Sequence, residues 1–195
     1  MKAKKHQFPF EAVAPTTPEQ RSLLNRYPLF FRAARYPGTH PCNLGIWGIA
    51  CGPGWYPLVE QAATVIENEL RQCLRQLTIA DTLTSVERRM QNIPASEALG
   101  DLGWETHPDA LIPFCAEISK RKDELYIHIT AGYLEDSTVL SRMRLAAVTA
   151  QGLAKSVCEL CGASGRSNFF NEYVYCAKCD PVKISSLNSR TQTRT

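Results

Sequence analysis

Two Cys-x-x-Cys pairs, Cys158/Cys161 and Cys176/Cys179, stand fourteen residues apart within SVCELCGASGRSNFFNEYVYCAKCD (156–180). The other four cysteines, Cys42, Cys51, Cys73 and Cys115, occur singly. Two residues between paired thiolates let one turn of backbone present both sulfurs to the same tetrahedral ion at about 2.3 Å, and a second such turn completes the ligand set. Gly162, directly after the first pair, supplies the permissive backbone that such a knuckle favours. The spacing therefore predicts one Zn2+ held by Cys158, Cys161, Cys176 and Cys179, with short strands near 167–170 and 172–175 bringing the pairs together. A thioredoxin-type redox pair comes singly, at the start of a helix. Catalytic zinc keeps one position open for water, whereas four thiolates close the shell. All four histidines (His6, His40, His107, His128) lie outside the stretch, so a His-metal nuclease centre is not expected there. The chemistry implied is structural: an ion in place of the core that so short a module cannot build.

Zinc ribbons often contact nucleic acid, but residues 156–180 carry Arg166 and Lys178 against Glu159, Glu172 and Asp180. That balance of −1 is a poor phosphate-binding surface. Phe169, Phe170, Tyr173 and Tyr175 can stack bases, yet in so small a hairpin packing against the long helices is the preferred reading. Elsewhere RYPLFFRAARYPG interleaves Arg26, Arg32 and Arg35 with aromatic residues, a mixture able to grip a single strand or an acidic partner. The bland alternative is a helix edge with buried rings and solvated arginines. Lys120, Arg121 and Lys122 form a basic turn that either touches phosphate or protects a strand edge from aggregation. Glu97, Asp101, Glu105 and Asp109 fall in a stretch, 91–113, read as an exposed acidic connection able to face a basic groove. His40 with Cys42 and Cys51 matches no common tetrahedral frame, and His128 near Glu117 has no nucleophile marked beside it. Neither a phosphate-cradling glycine loop nor HExxH occurs.

The elements that must position these residues follow from periodicity. Val59, Ala62, Ile66, Leu70, Cys73 and Leu77 recur at three or four residues, which predicts a long helix with one apolar side. A second runs from about Ser137 to Lys155, with Asp136 as N-cap and Leu140, Met143, Ala147, Ala150 and Leu153 or Ala154 inward. Between them, Phe114/Ala116/Ile118 and Leu125/Ile127/Ile129 alternate with their neighbours as two half-buried strands joined by the charged turn KRKDE. Residues 19–34 read as a short helix broken before Pro28 and then an aromatic turn, 36–57 as loop and short strand, and 82–92 as a further short helix.

These pieces amount to an α+β fold: long helices on a small antiparallel sheet, with a C-terminal four-cysteine zinc ribbon. The expected organisation is a disordered arm (1–18), a core domain (19–155), the ribbon (156–181) and a disordered basic tail (182–195). The chain of 195 residues has a formal charge of +3. Lys2, Lys4, Lys5, Lys183, Arg190 and Arg194 lie at its ends, so removing these six cations leaves the body at −3. No stretch approaches the roughly 18 apolar residues of a membrane span, and paired plus solitary cysteines fit a reduced, cytoplasmic setting better than a disulfide frame.

Three stretches together resemble a family of uncharacterised proteins common in tailed phages, prophages and other mobile elements. They are RYPLFFRAA followed by WGIACGPGWYPLVEQAATVIENEL, the strand ending DELYIHI, and CELCGASGR with its closing CxxC. The resemblance covers about residues 26–180; the hairpin departs from the family's Lys- and Phe-rich pattern, and many relatives end on a Cys and a His instead. It implies an accessory protein with a zinc module and no assigned activity, acting in a bacterial host cell. The expectation is non-enzymatic binding to a protein partner in nucleic-acid-handling or defence machinery, possible inhibition of defence included. Direct DNA or RNA binding is the rival, and an enzyme with an unrecognised site the third reading. The CGPGWYP block reads as a tight glycine turn seating Trp55 under the long helix, with packing preferred over ligand binding for Trp47 and Trp55 alike.

Overall fold

The computed structural model of the chain describes residues 17–35, 42–77, 112–131, 137–168 and 172–181. Residues 1–16 of the expected N-terminal arm, the helix at 82–92, the acidic residues Glu97, Asp101, Glu105 and Asp109, His40, His107, Phe169, Phe170 and the basic tail lie outside these residues, as do Asp136 and the side chain of Arg35, whereas Thr17 and Pro18, expected in the arm, begin the first helix.

The first described element opens on a capping box. Thr17 Oγ1 accepts the Gln20 N–H, and Gln20 Oε1 accepts the Thr17 N–H, which starts α1 (Pro18–Arg26) with proline at its first position. Gln20 then turns inward, donating to Ile49 O at 2.9 Å and Tyr56 Oη at 2.7 Å. The helix ends before Pro28, as expected, and α2 (Arg32–Arg35) follows an aromatic turn. Phe30 and Phe31 are fully buried, edge to face at 4.7 Å between centroids.

The glycine- and proline-rich segment holds more than loop: α3 (Asn43–Trp47), the two-residue strand β1 (Ile49–Ala50) and a 3-10 turn over Pro53–Trp55. From that turn α4 (Tyr56–Leu77) runs about 33 Å. Its buried residues Val59, Ala62, Ile66 and Leu70 follow the predicted stripe. Glu67 interrupts the expected polar side. It is buried, accepts the N–H groups of Leu29 (3.0 Å) and Phe30 (2.9 Å) and pairs with Arg71 at 2.7 Å, fixing the aromatic turn onto α4.

The hairpin is β2 (Phe114–Arg121) and β3 (Glu124–Thr130), turned on Lys122 and Asp123, with Lys122 at φ 58°. Inward alternation holds along β3, where Leu125, Ile127 and Ile129 are buried. In β2 a bulge between Cys115 and Glu117 breaks it, so that Cys115 and Ala116 are both buried while Phe114 is only half-buried. The sheet is mixed, not purely antiparallel: β1 pairs parallel with β2, Ile49 beside Ile118 and Ala50 beside Ser119, giving the order β1-β2-β3. The reason is the connection, since parallel neighbours require a long crossover and α4 lies between these two strands in the chain.

The last long helix, α5 (Ser137–Ala154), lies along β3 in the opposite direction: Gln151 Nε2 donates to Ile127 O and Lys155 pairs with Glu124. Leu140, Met143, Ala147, Ala150 and Ala154 face in; Leu153 is 46% exposed. The second sheet, β4 (Arg166–Asn168) and β5 (Tyr173–Tyr175), belongs to the cysteine module.

Candidate metal centre

Cys158 sits in a knuckle that closes on itself. Its N–H donates to Ala163 O (2.7 Å), its carbonyl accepts from Gly162 N (2.9 Å), and Gly162 adopts φ 75°, a conformation that favours glycine. The second knuckle repeats the plan, with Cys176 O accepting from Cys179 N and Asp180 N, both at 3.1 Å. Pairing of β4 with β5, and Glu159 N–H to Val174 O at 2.9 Å, set the two knuckles face to face.

The sulfurs of Cys158, Cys161, Cys176 and Cys179 all lie within 4.8 Å of one another, and the Sγ atoms of Cys161 and Cys176 are 3.6 Å apart. A tetrahedral ion with sulfur at about 2.3 Å demands an edge of about 3.8 Å, so the cluster could hold one metal ion with little movement. Desolvation opposes ionisation of Cys176, but the backbone N–H groups of Lys178 and Cys179 and the neighbouring thiols outweigh it and bring the thiol down to about 7. Cys158 is lowered likewise against its burial, by the N–H groups of Cys161, Cys176 and Leu160. Cys179, hydrogen-bonded to the Cys161 and Cys176 sulfurs, is pushed up to about 12 and keeps a proton that an incoming cation would displace. Among the described residues this is the one group of three or more ligand-type side chains placed to share an ion.

The module is built into the body by backbone contact. Gly54 N–H donates to Glu159 O at 2.8 Å, and a Cβ on Gly54 would lie 2.1 Å from Cys158 O, 2.5 Å from Gly162 N and 2.9 Å from Cys161 N. Only glycine permits that approach. The next residue, Trp55, is fully buried and donates Nε1–H to Val157 O at 2.8 Å. The CGPGW block therefore seats the first knuckle as well as the long helix, a role its glycine spacing signals only as a close approach to something. A buried carboxylate adds a third tie: Glu159, 5% exposed, pairs with Lys120 at 2.8 Å, and Lys120 Nζ lies 4.7 Å from the centre of the Tyr173 ring. Sequence reasoning missed this pair because its members are thirty-nine positions apart.

Several candidate contact residues are engaged elsewhere. Arg32 is not a surface cation: it is 2% exposed, lies 5.4 Å from the centre of the Phe114 ring, and donates to Leu29 O (3.0 Å), Pro113 O (2.9 Å) and Ile112 O. Arg26 pairs with Glu60, and Arg121 with Glu117 while stacking 3.4 Å over Tyr126. Lys122 holds the left-handed turn position and is exposed. Tyr173 and Tyr175 stack on each other at 4.7 Å between centroids, with Lys120 over the Tyr173 ring, and Val174 between them joins the core. Trp47 departs from the expected packing and is 69% exposed. His128 lies opposite Glu117 across the hairpin, but that carboxylate is taken by Ser119, Asn43 and Arg121. Cys51 is half-buried, and its thiol is raised to about 12, first by desolvation and then by Glu159. Burial likewise raises Cys115, so both behave as small apolar side chains.

No protein-family model, no curated protein and no solved structure matches the chain. Among the described residues no helix is long and apolar enough to cross a membrane.

Proposed function

We propose that Cys158, Cys161, Cys176 and Cys179 hold a single structural Zn2+ in a C-terminal zinc ribbon, and that the protein is a non-enzymatic accessory factor of a phage or other mobile element. It acts by engaging host or phage nucleoprotein machinery in the bacterial cytoplasm, inhibition of a host defence being the outcome that fits such a factor. The observation that carries the reading is the closed sulfur cluster. Four sulfurs within 4.8 Å of one another are enough to fill the shell of a bound ion, which would leave no position for water or substrate, and each knuckle is held by backbone bonds. Zinc is favoured over other cations because soft thiolates select it and its d10 shell imposes no competing geometry.

Binding to a protein is favoured over direct DNA or RNA binding by what the cations are doing. Arg32 is buried, Lys120 is committed to Glu159, and Arg26 and Arg121 are paired with carboxylates. A phosphate-binding surface needs such cations free to displace counterions. The test is affinity capture from the bacterial host with and without nuclease, beside elemental analysis of the purified chain. One zinc per chain and a captured nucleoprotein component that survives nuclease are the expected results. Absence of metal overturns the zinc assignment. A gel shift of bare DNA or RNA that weakens steeply with salt overturns the partner assignment in favour of the rival.

A further inference from the structure

The four sulfurs of the cluster are not equally placed. Cys158 is fully buried, Cys176 is buried and Cys179 half-buried, whereas Cys161 is exposed. Leu160 beside it is also exposed, so the first knuckle turns one thiol and one apolar side chain outward. The Cys161 Sγ lies 3.6 Å from the Sγ of Cys176, which belongs to the other knuckle. A disulfide needs about 2.05 Å, so the two sulfurs must close by about 1.5 Å. A reachable thiol with a second thiol poised beside it is the arrangement of a redox-sensing cysteine and its resolving partner.

We propose that Cys161 is an oxidation site, attacked by hydrogen peroxide and resolved by Cys176 into a disulfide that joins the two knuckles. In the first step the Cys161 thiolate gives an electron pair to one peroxide oxygen: an S–O bond forms, the O–O bond breaks, and hydroxide leaves. In the second the Cys176 thiolate attacks the Cys161 sulfur: the S–S bond forms, the S–O bond breaks, and the oxygen leaves as a second hydroxide. The two sulfurs together lose two electrons, the peroxide gains them, and both hydroxides take protons from solvent. The consequence for the ion rests on the zinc reading above; the site of oxidation does not. Sulfurs joined in a disulfide no longer act as thiolate ligands, and Cys158 and Cys179 alone cannot fill a tetrahedral shell. Oxidation thus releases the ion. It also frees Cys158, whose carbonyl abuts Gly54 and whose neighbours Val157 and Glu159 carry the ties to Trp55 and Gly54. An event at an exposed sulfur is thereby passed to the segment that starts α4.

The test uses the full wild-type chain, its zinc counted by elemental analysis. Folded protein is treated with hydrogen peroxide, its free thiols are alkylated, and it is digested with trypsin without reduction. Cleavage after Lys155, Arg166, Lys178 and Lys183 puts Cys158 and Cys161 in one peptide, Cys176 in a second and Cys179 in a third. The expected early product is 156–166 joined to 167–178 through Cys161, at least about tenfold over any other disulfide, because exposure and proximity both favour it. A chromophoric chelator should register one ion released per link, and a thiol reductant with added Zn2+ should restore the starting state. Cys115, fully buried, should stay reduced. A first disulfide within 156–166, one between 167–178 and 179–183, or a pair that stays free while other cysteines oxidise overturns the proposal. A link that forms while the ion stays bound overturns the release step. A chain that purifies without zinc refutes the zinc reading instead, and the peptide map still decides the site of oxidation.

Discussion

Adding one methyl group at Gly54 should separate the cysteine module from the body, and the structure gives the size of the effect. The new Cβ would meet three backbone atoms at 2.1, 2.5 and 2.9 Å, all in the first knuckle, where no side chain can rotate away. Relieving the shortest contact requires about 1 Å of backbone displacement. Overpacking of that kind costs roughly 1–3 kcal/mol, and the Gly54 N–H to Glu159 O bond would be lost at a further cost of about 1 kcal/mol. Gly54→Ala is therefore expected to destabilise the folded protein by about 2–4 kcal/mol, a factor of roughly 30 to 1,000 in equilibrium. Because the strain bears on the knuckle holding Cys158 and Cys161, part of it should be expressed as weaker metal binding. Urea denaturation, with competition for the metal by a chromophoric chelator, measures both. Gly152→Ala is the internal control: the same chemical change with nothing within 4 Å should stabilise the protein by about 0.5–1 kcal/mol. Wild-type stability and metal affinity in Gly54→Ala would refute the argument that the glycine seats the knuckle.

Lys120→Met leaves the Glu159 carboxylate buried without its counter-charge. Since Lys120 keeps 27% exposure, the cost should be about 2–3 kcal/mol, below that of a fully enclosed pair, and Lys120→Met/Glu159→Met should recover most of it in a double-mutant cycle. Arg32→Met strands carbonyls of Leu29, Ile112 and Pro113 and should cost about 3 kcal/mol in urea unfolding. Arg26→Met, at a pair whose arginine is 55% exposed, should cost under about 0.5 kcal/mol. The Ser119 hydroxyl foremost, then Asn43 and Arg121, hold the Glu117 carboxyl below its ordinary range. With the folded value below the unfolded one, its contribution is present at neutral pH and is lost as pH falls through the folded value. Glu117→Gln should accordingly be less stable than wild type at neutrality, by under about 1 kcal/mol. The gap should close on acidification, a comparison unaffected by acid release of metal common to both proteins.

What could be read from the sequence was what local spacing dictates. The two CxxC pairs carry their geometry within four residues each, and the long helix and β3 carry theirs in uninterrupted periods of 3.6 and 2. The bulge at Cys115–Glu117 was invisible because alternation assumes one residue per ladder position. The parallel β1 escaped for a different reason: a two-residue strand has no period, and its pairing with Ile118 is settled by the crossover through α4. Arg32 shows the same limit in a side chain. Interleaving with aromatics looks alike whether a guanidinium faces solvent or carbonyls eighty-one positions further on.

The long-range ties decide what an ion held by the four cysteines would do for the molecule. A ribbon joined to its neighbour by a linker would stabilise only itself. Here Val157 receives the indole of Trp55, Glu159 receives Gly54 and Lys120, and Val174 completes the main apolar cluster. Trp55 in turn lies at the head of α4, the helix whose Glu67 fixes the aromatic turn at Leu29 and Phe30. Closing the four-sulfur cluster on an ion would thus order the segment that starts α4, and would couple metal affinity to folding of the body in the thermodynamic sense. Any ligand that binds the folded module more tightly than the open one stabilises α4 by the same free energy.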